Sequence, residues 1–249
     1  MVVRSYSPTT KLYGLAIEPG SGYQNIINAK GLAVGDEAQI IYMVVNGKVF
    51  NDGCYFTYGN AKKTANYDPG TMEAIYFGSN RNHGCGVGNG PWVMVDMSNG
   101  LFGCAETCCP NNPSVTYEFV TAMLLGRTGG QFALRTGNAQ YSMLEEIYLG
   151  ERPEKYKEMK KQGGIVLGIG GDCNNKGRGV FYEGLLQKAS QSIGLTNELV
   201  ETFFMRRMVK QPNRSKGPER LQHRANHGIL FGSLADNRCF NTKRAVRDF

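Results

Sequence analysis

The chain has 249 residues, is 41% hydrophobic and carries a formal net charge of +7. No apolar run approaches the ~20 residues that a membrane-crossing helix needs. Met1–Pro8 has no long hydrophobic stretch behind it, so neither a helical anchor nor a secretory leader is expected. The charge is unevenly placed. From Met205 to Phe249 there are 11 Lys and Arg against 3 Asp and Glu, and the rest of the chain is close to neutral. Residues 209–249 mix Lys, Arg, Asn, Pro and Gly with little periodicity. They read as a solvated basic tail on a body of residues 1–208, with contact to nucleic acid or an acidic surface as the lesser reading.

In chain order the body gives short apolar runs separated by turns. Ile40–Val45 predicts a buried strand, and Asn46-Gly47 a tight hairpin turn into Lys48-Val49-Phe50. Asp68-Pro69-Gly70 is a turn leading to a strand over Glu73–Phe77, and Asn80–Asn89 is a polar, Gly-rich loop. Trp92–Met97 is the next strand, closed by Ser98-Asn99-Gly100. Val115–Val120 alternates at period two and predicts a half-buried strand, and Phe132–Arg135 a short one. Pro153–Lys161 is charged and suits an exposed loop or one helical turn. Ile165–Ile169 predicts a central strand and Val180–Leu186 another. Thr196 then caps a helix from Asn197 to about Met208. Strands that follow one another without helices between them predict an all-β fold, an antiparallel sandwich with one C-terminal helix.

Two strand ends hold the candidate chemistry. Alternation puts Trp92, Met94, Asp96 and Ser98 on one face of their strand and Val93, Val95 and Met97 on the other. A face with Trp and Asp together suits a sugar, since aromatic rings cover the apolar side and carboxylates take hydroxyls; the alternative from spacing alone is an Asp that caps the turn at the strand end. Gly168-Ile169-Gly170-Gly171-Asp172 ends a strand with glycines that let a ligand approach the backbone, and it leaves Asp172 at the rim. A partly desolvated carboxyl there can hold a proton near neutral pH. Glu73, at a strand start, reads either as a second carboxylate or as an exposed strand residue, and Glu106, in a loop a few residues after Ser98, could supply a base. The seven cysteines, Cys54, Cys85, Cys104, Cys108, Cys109, Cys173 and Cys239, form no zinc pattern. His223 and His227, at i and i+4 in the tail, have no third ligand, so no metal or cofactor is expected. Cys104, Cys108 and Cys109 crowd one loop and could form disulfides, including a vicinal Cys108–Cys109 bridge, although free thiols are the default there.

Several segments together resemble a known family. They are Pro19–Tyr23, Gly35–Ala38, Asn51–Cys54, Tyr58–Ala61, Met72–Tyr76, Gly90–Met97, Gly168–Asp172 and Phe181–Gly184. In this order they resemble the catalytic domain of family 54 glycoside hydrolases, the fungal-type α-L-arabinofuranosidases, over about residues 8–204. The resemblance implies a concanavalin A-like β-sandwich (a jelly roll) and a retaining cleavage of terminal arabinofuranosyl groups from plant hemicellulose or pectin. It places Asp172 on the general acid/base and Asp96 on a pocket carboxylate that contacts arabinose. Asn99 and Gly171 match further pocket positions.

The departures matter as much. The family nucleophile is a Glu where this chain has Ser98, so the carboxylate pair that retention needs about 5 Å apart is incomplete. The family's adjacent cysteines, which bridge under the sugar, are replaced by Cys54-Tyr55, and a pocket tryptophan by His83. Tyr55 and His83 keep rings for stacking. The resemblance also implies a domain that extends upstream of residue 1 and a C-terminal arabinose-binding domain, so the sandwich is expected to be incomplete at the N-terminus. The partner it implies is an arabinose-containing polysaccharide or oligosaccharide met outside the cell; no membrane partner is expected, and nucleic acid stays the lesser reading of the basic tail. Two functional expectations follow: an α-L-arabinofuranosidase compromised at Ser98, or a catalytically inactive arabinose-binding pseudoenzyme.

Overall fold

The computed structural model describes residues 2–7, 10–63, 68–141, 144–171 and 174–189, with side chains from residue 13 onward. Thirteen strands run in chain order as β1 (Val2–Ser7), β2 (Thr10–Ile17), β3 (Tyr23–Asn25), β4 (Gln39–Asn46), β5 (Thr57–Ala61), β6 (Glu73–Gly78), β7 (Trp92–Asp96), β8 (Leu101–Phe102), β9 (Phe119–Gly126), β10 (Gln131–Asn138), β11 (Glu145–Glu151), β12 (Gly164–Leu167) and β13 (Gly179–Lys188). Among the described residues the helical content is one 3-10 turn at Glu154–Tyr156. The helix expected over Asn197–Met208 and the basic tail lie outside the described residues.

The strands form two antiparallel sheets, a seven-stranded one in the order β1-β2-β13-β4-β9-β10-β11 and a six-stranded one in the order β3-β12-β5-β6-β7-β8. The core lies between them. Ile41, Met43 and Val45 of β4, Val120, Ala122 and Leu124 of β9, and Phe132 and Leu134 of β10 meet Tyr58, Ile75, Phe77, Val93 and Val95 of the smaller sheet. These residues sit two apart along each strand, so burying one face of each sheet sets the register. In the smaller sheet Ile75 lies opposite Val95, and Val95 opposite Phe102. The expected all-β sandwich is therefore present.

Several local expectations are corrected. Asn46-Gly47 ends β4 in a turn but opens no hairpin: β4 pairs with β13 and β9, and Lys48–Phe50 is not a strand. Asn46 Oδ1 accepts from the Lys48 N–H (2.8 Å), so the Asn satisfies the turn itself. The strand expected at Val115–Val120 begins only at Phe119 and runs on to Gly126. Val115 is buried as part of a crossing loop, its N–H bonded to Pro91 O. The strand expected at Ile165–Ile169 is Gly164–Leu167, and it lies next to the edge strand β3 rather than at the sheet centre. The segment 153–161 contains the single helical turn, but Tyr156, Met159 and Lys161 are buried.

Candidate active site on the outer face of the smaller sheet

The face of the six-stranded sheet turned away from the core carries the candidate site. As alternation requires, Trp92 and Met94 pack outward with Tyr76, Tyr55 and Leu101, whereas Val93, Val95 and Met97 face the core. Asp96 continues the outward series and is only 3% exposed. Its cross-strand neighbours are Ala74 on β6 and Leu101 on β8.

Beyond Asp96 the chain reverses in two residues to enter β8. Ser98 (φ 65°) and Asn99 (φ 62°) both take left-handed backbone, which two-residue hairpins of this type need at both central positions. Neither is Gly, so the turn is held by bonds. Asp96 Oδ1 accepts from the Ser98 N–H (3.0 Å), Met97 N–H reaches Gly100 O (3.3 Å), and the Tyr156 hydroxyl lies against the carbonyls of Ser98 (3.2 Å) and Asn99 (3.1 Å). Burial, with the Asp96 charge adding to it, pushes the Tyr156 phenol up to about 12. It therefore stays a donor to the turn. Ser98 is buried and Asn99 exposed.

Cys54, Tyr55 and His83 are brought together at the same sheet face. The Cys54–Tyr55 peptide is cis. Asn80 Nδ2 donates to Cys54 Sγ (3.2 Å), His83 Nδ1 lies 3.8 Å from that sulfur, and Asn80 Oδ1 is 3.2 Å from His83 Nδ1. The Tyr55 ring meets His83 at 5.4 Å and Tyr76 at 6.1 Å between centroids, both edge-on. Tyr76 bridges this group to Asp96. Its hydroxyl accepts from the Asn80 N–H (2.8 Å), and burial raises its pKa, with the charges of Cys54, Asp52 and Asp96 acting in the same sense.

The strand end that leads to Asp172 crosses the same face. Gly168 N–H bonds Thr57 O (2.7 Å), the Thr57 hydroxyl donates to Ile169 O, and Gly170 N–H bonds Asn174 O (2.9 Å). Ile169 packs with Ala61, Met72, Ala74 and Val166, and Ala74 is the residue paired with Asp96. A Cβ on Gly171 would come within 2.4 Å of Met72 Sδ and 3.4 Å of Lys62 Cε, so the missing side chain lets this segment lie close to the sheet. Asp172 and Cys173 themselves lie outside the described residues, as do His223, His227 and Cys239.

Other sequence candidates fall elsewhere. Glu73 is not a site carboxylate. It is fully buried and bonded to Arg152 (2.8 Å), Lys161 (3.4 Å) and Gln39 (2.7 Å). Glu106 is exposed and borders a separate hollow with Cys104, Cys109 and Tyr148. Cys108 bonds Cys85 rather than Cys109, which excludes the vicinal bridge and leaves Cys54, Cys104 and Cys109 as thiols. Sequence reading missed Tyr76, Asn80, Lys62 and Tyr156. Tyr76 was legible, since it shares the outward parity of Ala74 on its strand. Tyr156 sits 58 residues from the turn it holds, and no local pattern links the two.

Comparison with known proteins identifies the family of the fold. Residues 5–202 match the family model described as "Alpha-L-arabinofuranosidase B, catalytic". The chain is 43% identical over 204 residues to alpha-L-arabinofuranosidase B of Aspergillus niger, covering 80% of this chain and 40% of that protein. It is 47% identical over 182 residues to the Emericella nidulans enzyme of the same name, covering 71% and 35%. It is 43% identical over 207 residues to an arabinofuranosidase/B-xylosidase of Trichoderma koningii, covering 81% and 41%. The chain thus spans about 40% of the length of the relatives it matches. Among solved structures, an arabinofuranosidase complexed with arabinofuranosyl-alpha-1,2-xylobiose superposes with a TM-score of 0.73 at 41% identity, covering 79% of this chain and 40% of that one. A family 54 α-L-arabinofuranosidase soaked with a cyclic sulfate inhibitor gives the same TM-score at 40% identity, with the same coverage. With the family model matching most of its residues and this fold shared at that identity, the chain belongs to the family of alpha-L-arabinofuranosidase B catalytic domains.

Proposed function

We propose that this chain binds a terminal α-L-arabinofuranosyl group of an oligosaccharide or polysaccharide on the outer face of its smaller sheet, and that Ser98 disables hydrolysis there. The observation that carries the reading is the grouping of Asp96, the Ser98-Asn99 turn, Tyr55 and His83 at one sheet face, at positions that resemble the family's sugar pocket. Asp96 and the Asn99 side chain supply hydroxyl partners, and the Tyr55 and His83 rings supply an apolar flank. Gly171 keeps the chain that leads to Asp172 close to the sheet. In a retaining reaction Asp172 protonates the departing glycosidic oxygen while a carboxylate attacks the anomeric carbon. Ser98 offers a hydroxyl in place of that carboxylate, and a hydroxyl needs its own base to act. The carboxylate beside it, Asp96, already accepts from the Ser98 backbone N–H. Binding tolerates this loss better than catalysis, because it needs fewer groups in register. The relatives named above are hydrolases, so turnover is the competing reading. The proposal includes an extracellular setting, which suits the Cys85–Cys108 disulfide.

The test pairs calorimetry with an activity assay. Arabinofuranosyl-xylobiose should release heat with the unaltered chain, and 4-nitrophenyl α-L-arabinofuranoside should stay intact. Ser98→Glu should then gain turnover at least about a hundredfold above the unaltered chain, the scale expected of a restored catalytic group. Rapid turnover by the unaltered chain would replace this reading with that of a working hydrolase. The absence of binding heat would remove the sugar site altogether.

A further inference from the structure

Away from the sheet face, four cysteines gather where β8 leaves the smaller sheet. Cys85 and Cys108 are bonded to each other. Cys104 and Cys109 are thiols, 8% and 3% exposed; the Cys104 thiol donates to Glu106 O (3.8 Å), and Cys109 lies near enough to act on it. A buried free cysteine ordinarily serves as a small apolar residue inside a core. These two do not: neither belongs to the apolar clusters of the molecule, and each has the other as neighbour. Both also line an open hollow of about 570 Å³, bordered by Glu106, Asn111, Glu146 and Tyr148.

We propose that Cys104 and Cys109 are a redox pair that closes to a second disulfide beside Cys85–Cys108. The loop is tied down on the Cys109 side. Cys109 N–H bonds Cys85 O (2.8 Å), Cys85 N–H bonds Thr107 O (2.9 Å), and Asn112 N–H bonds Cys109 O (3.4 Å). Closure would join the two ends of one six-residue loop, Cys104–Cys109. A small disulfide such as oxidised glutathione, entering through the hollow, is the oxidant. Burial, with the neighbouring Cys109 acting in the same sense, pushes the Cys104 thiol up to about 12, so Cys109 is the attacking group: its thiolate attacks a glutathione sulfur, releases one glutathione and forms a mixed disulfide. The second thiol gives its proton to water and attacks the protein sulfur of that bond, releasing the second glutathione. Two thiols are oxidised and one glutathione disulfide is reduced.

The closed pair stiffens a loop that backs the candidate site. Leu101 N–H bonds His83 O (2.9 Å) and Val87 N–H bonds Asn112 O (2.8 Å), so segments 80–89 and 101–112 are already laced together. Only the link to the candidate site rests on the sugar-binding reading; the chemistry of the pair does not.

The experiment treats the unaltered chain with oxidised glutathione, alkylates the remaining thiols, and maps the peptides by mass spectrometry. The expected result is a Cys104–Cys109 linked peptide about two mass units lighter than its dithiol form, with Cys85–Cys108 intact. In Cys104→Ser the linked peptide should vanish and Cys109 should retain one glutathione. Three results would overturn the proposal: both thiols still alkylated after treatment, a mixed disulfide that persists on either in the unaltered chain, or Cys109 found bonded to Cys85. None of these readouts involves sugar, so failure here leaves the proposed function untouched.

Discussion

Tyr156 shows how one side chain ties stability to the site. Its hydroxyl serves two carbonyls of the Ser98-Asn99 turn, and that turn holds left-handed backbone on two residues with side chains. Tyr156→Phe should cost about 1 kcal/mol, the net worth of a buried hydrogen bond. It should also weaken sugar binding more than its distance from the rings suggests, because the turn loses its brace. The pH dependence has a definite sign. The folded-state pKa is about 12, against an ordinary value near 10, so the unfolded chain loses this proton first as pH rises. Stability is unaffected below about pH 10 and falls between about 10 and 12, by roughly 2 kcal/mol for this group. Tyr58 and Tyr76 are shifted the same way by burial and steepen the fall. Thermal melts from pH 8 to 11 should therefore show a shallower alkaline decline for the Phe variant than for the unaltered chain.

At the scale of elements, β6 joins the two sides of the sandwich through Glu73. Its carboxylate, fully buried, takes Arg152 and Lys161 from the segment after β11 and Gln39 from β4. Burial alone would raise its pKa, but Arg152 and Lys161 outweigh that and hold it below the usual carboxylate range. Glu73→Gln would leave two buried cations short of their counter-charge, with Asp36 (3.6 Å) the remaining partner for Arg152. The expected loss is about 3–5 kcal/mol. Because the folded pKa is depressed, the carboxylate's contribution is present above about pH 4 and disappears as pH falls through the folded value. Acid titration followed by circular dichroism should show a weaker acid limb in the variant. Such a residue is hard to read in sequence. Glu73 opens a strand, where an exposed charge is usual, and its partners lie about 80 residues away. The legible elements were those with clear punctuation: β6 and β7 are short apolar runs bounded by turns, Asp68-Pro69-Gly70 before the first and Ser98-Asn99-Gly100 after the second. β9 was placed too early because all eight of its residues are buried, which removes the period-two signal, while the loop before it happens to alternate. β11 was missed because an edge strand reading Glu-Glu-Ile-Tyr-Leu-Gly-Glu shows no apolar run. The Cys85–Cys108 pairing depended on two loops meeting in space, which spacing does not encode.

At the scale of the whole molecule, the smaller sheet divides its labour by parity. Residues of one parity on β6 and β7 hold the two sheets together, and those of the other parity face the candidate site, so adjacent positions should fail in different ways. Ile75 is fully buried between the sheets, whereas its neighbours Ala74 and Tyr76 point outward. Ile75→Val removes one methylene from that core and should cost about 0.5–1.5 kcal/mol, with little effect on affinity for an arabinofuranosyl oligosaccharide. Asp96→Asn should do the reverse. The amide keeps an oxygen to accept from the Ser98 N–H, so the turn survives and the melting temperature changes little. The charge that would take sugar hydroxyls is gone, and hydrogen bonds to a charged group are worth about 1.5–3 kcal/mol, so affinity should fall roughly ten- to a hundredfold. Melting temperature and calorimetric affinity measured on both variants give a crossed pattern if the faces are separate. Equal losses of both quantities in both variants would mean that Asp96 belongs to the structural core, and the outer face would then lose its claim to be a sugar site.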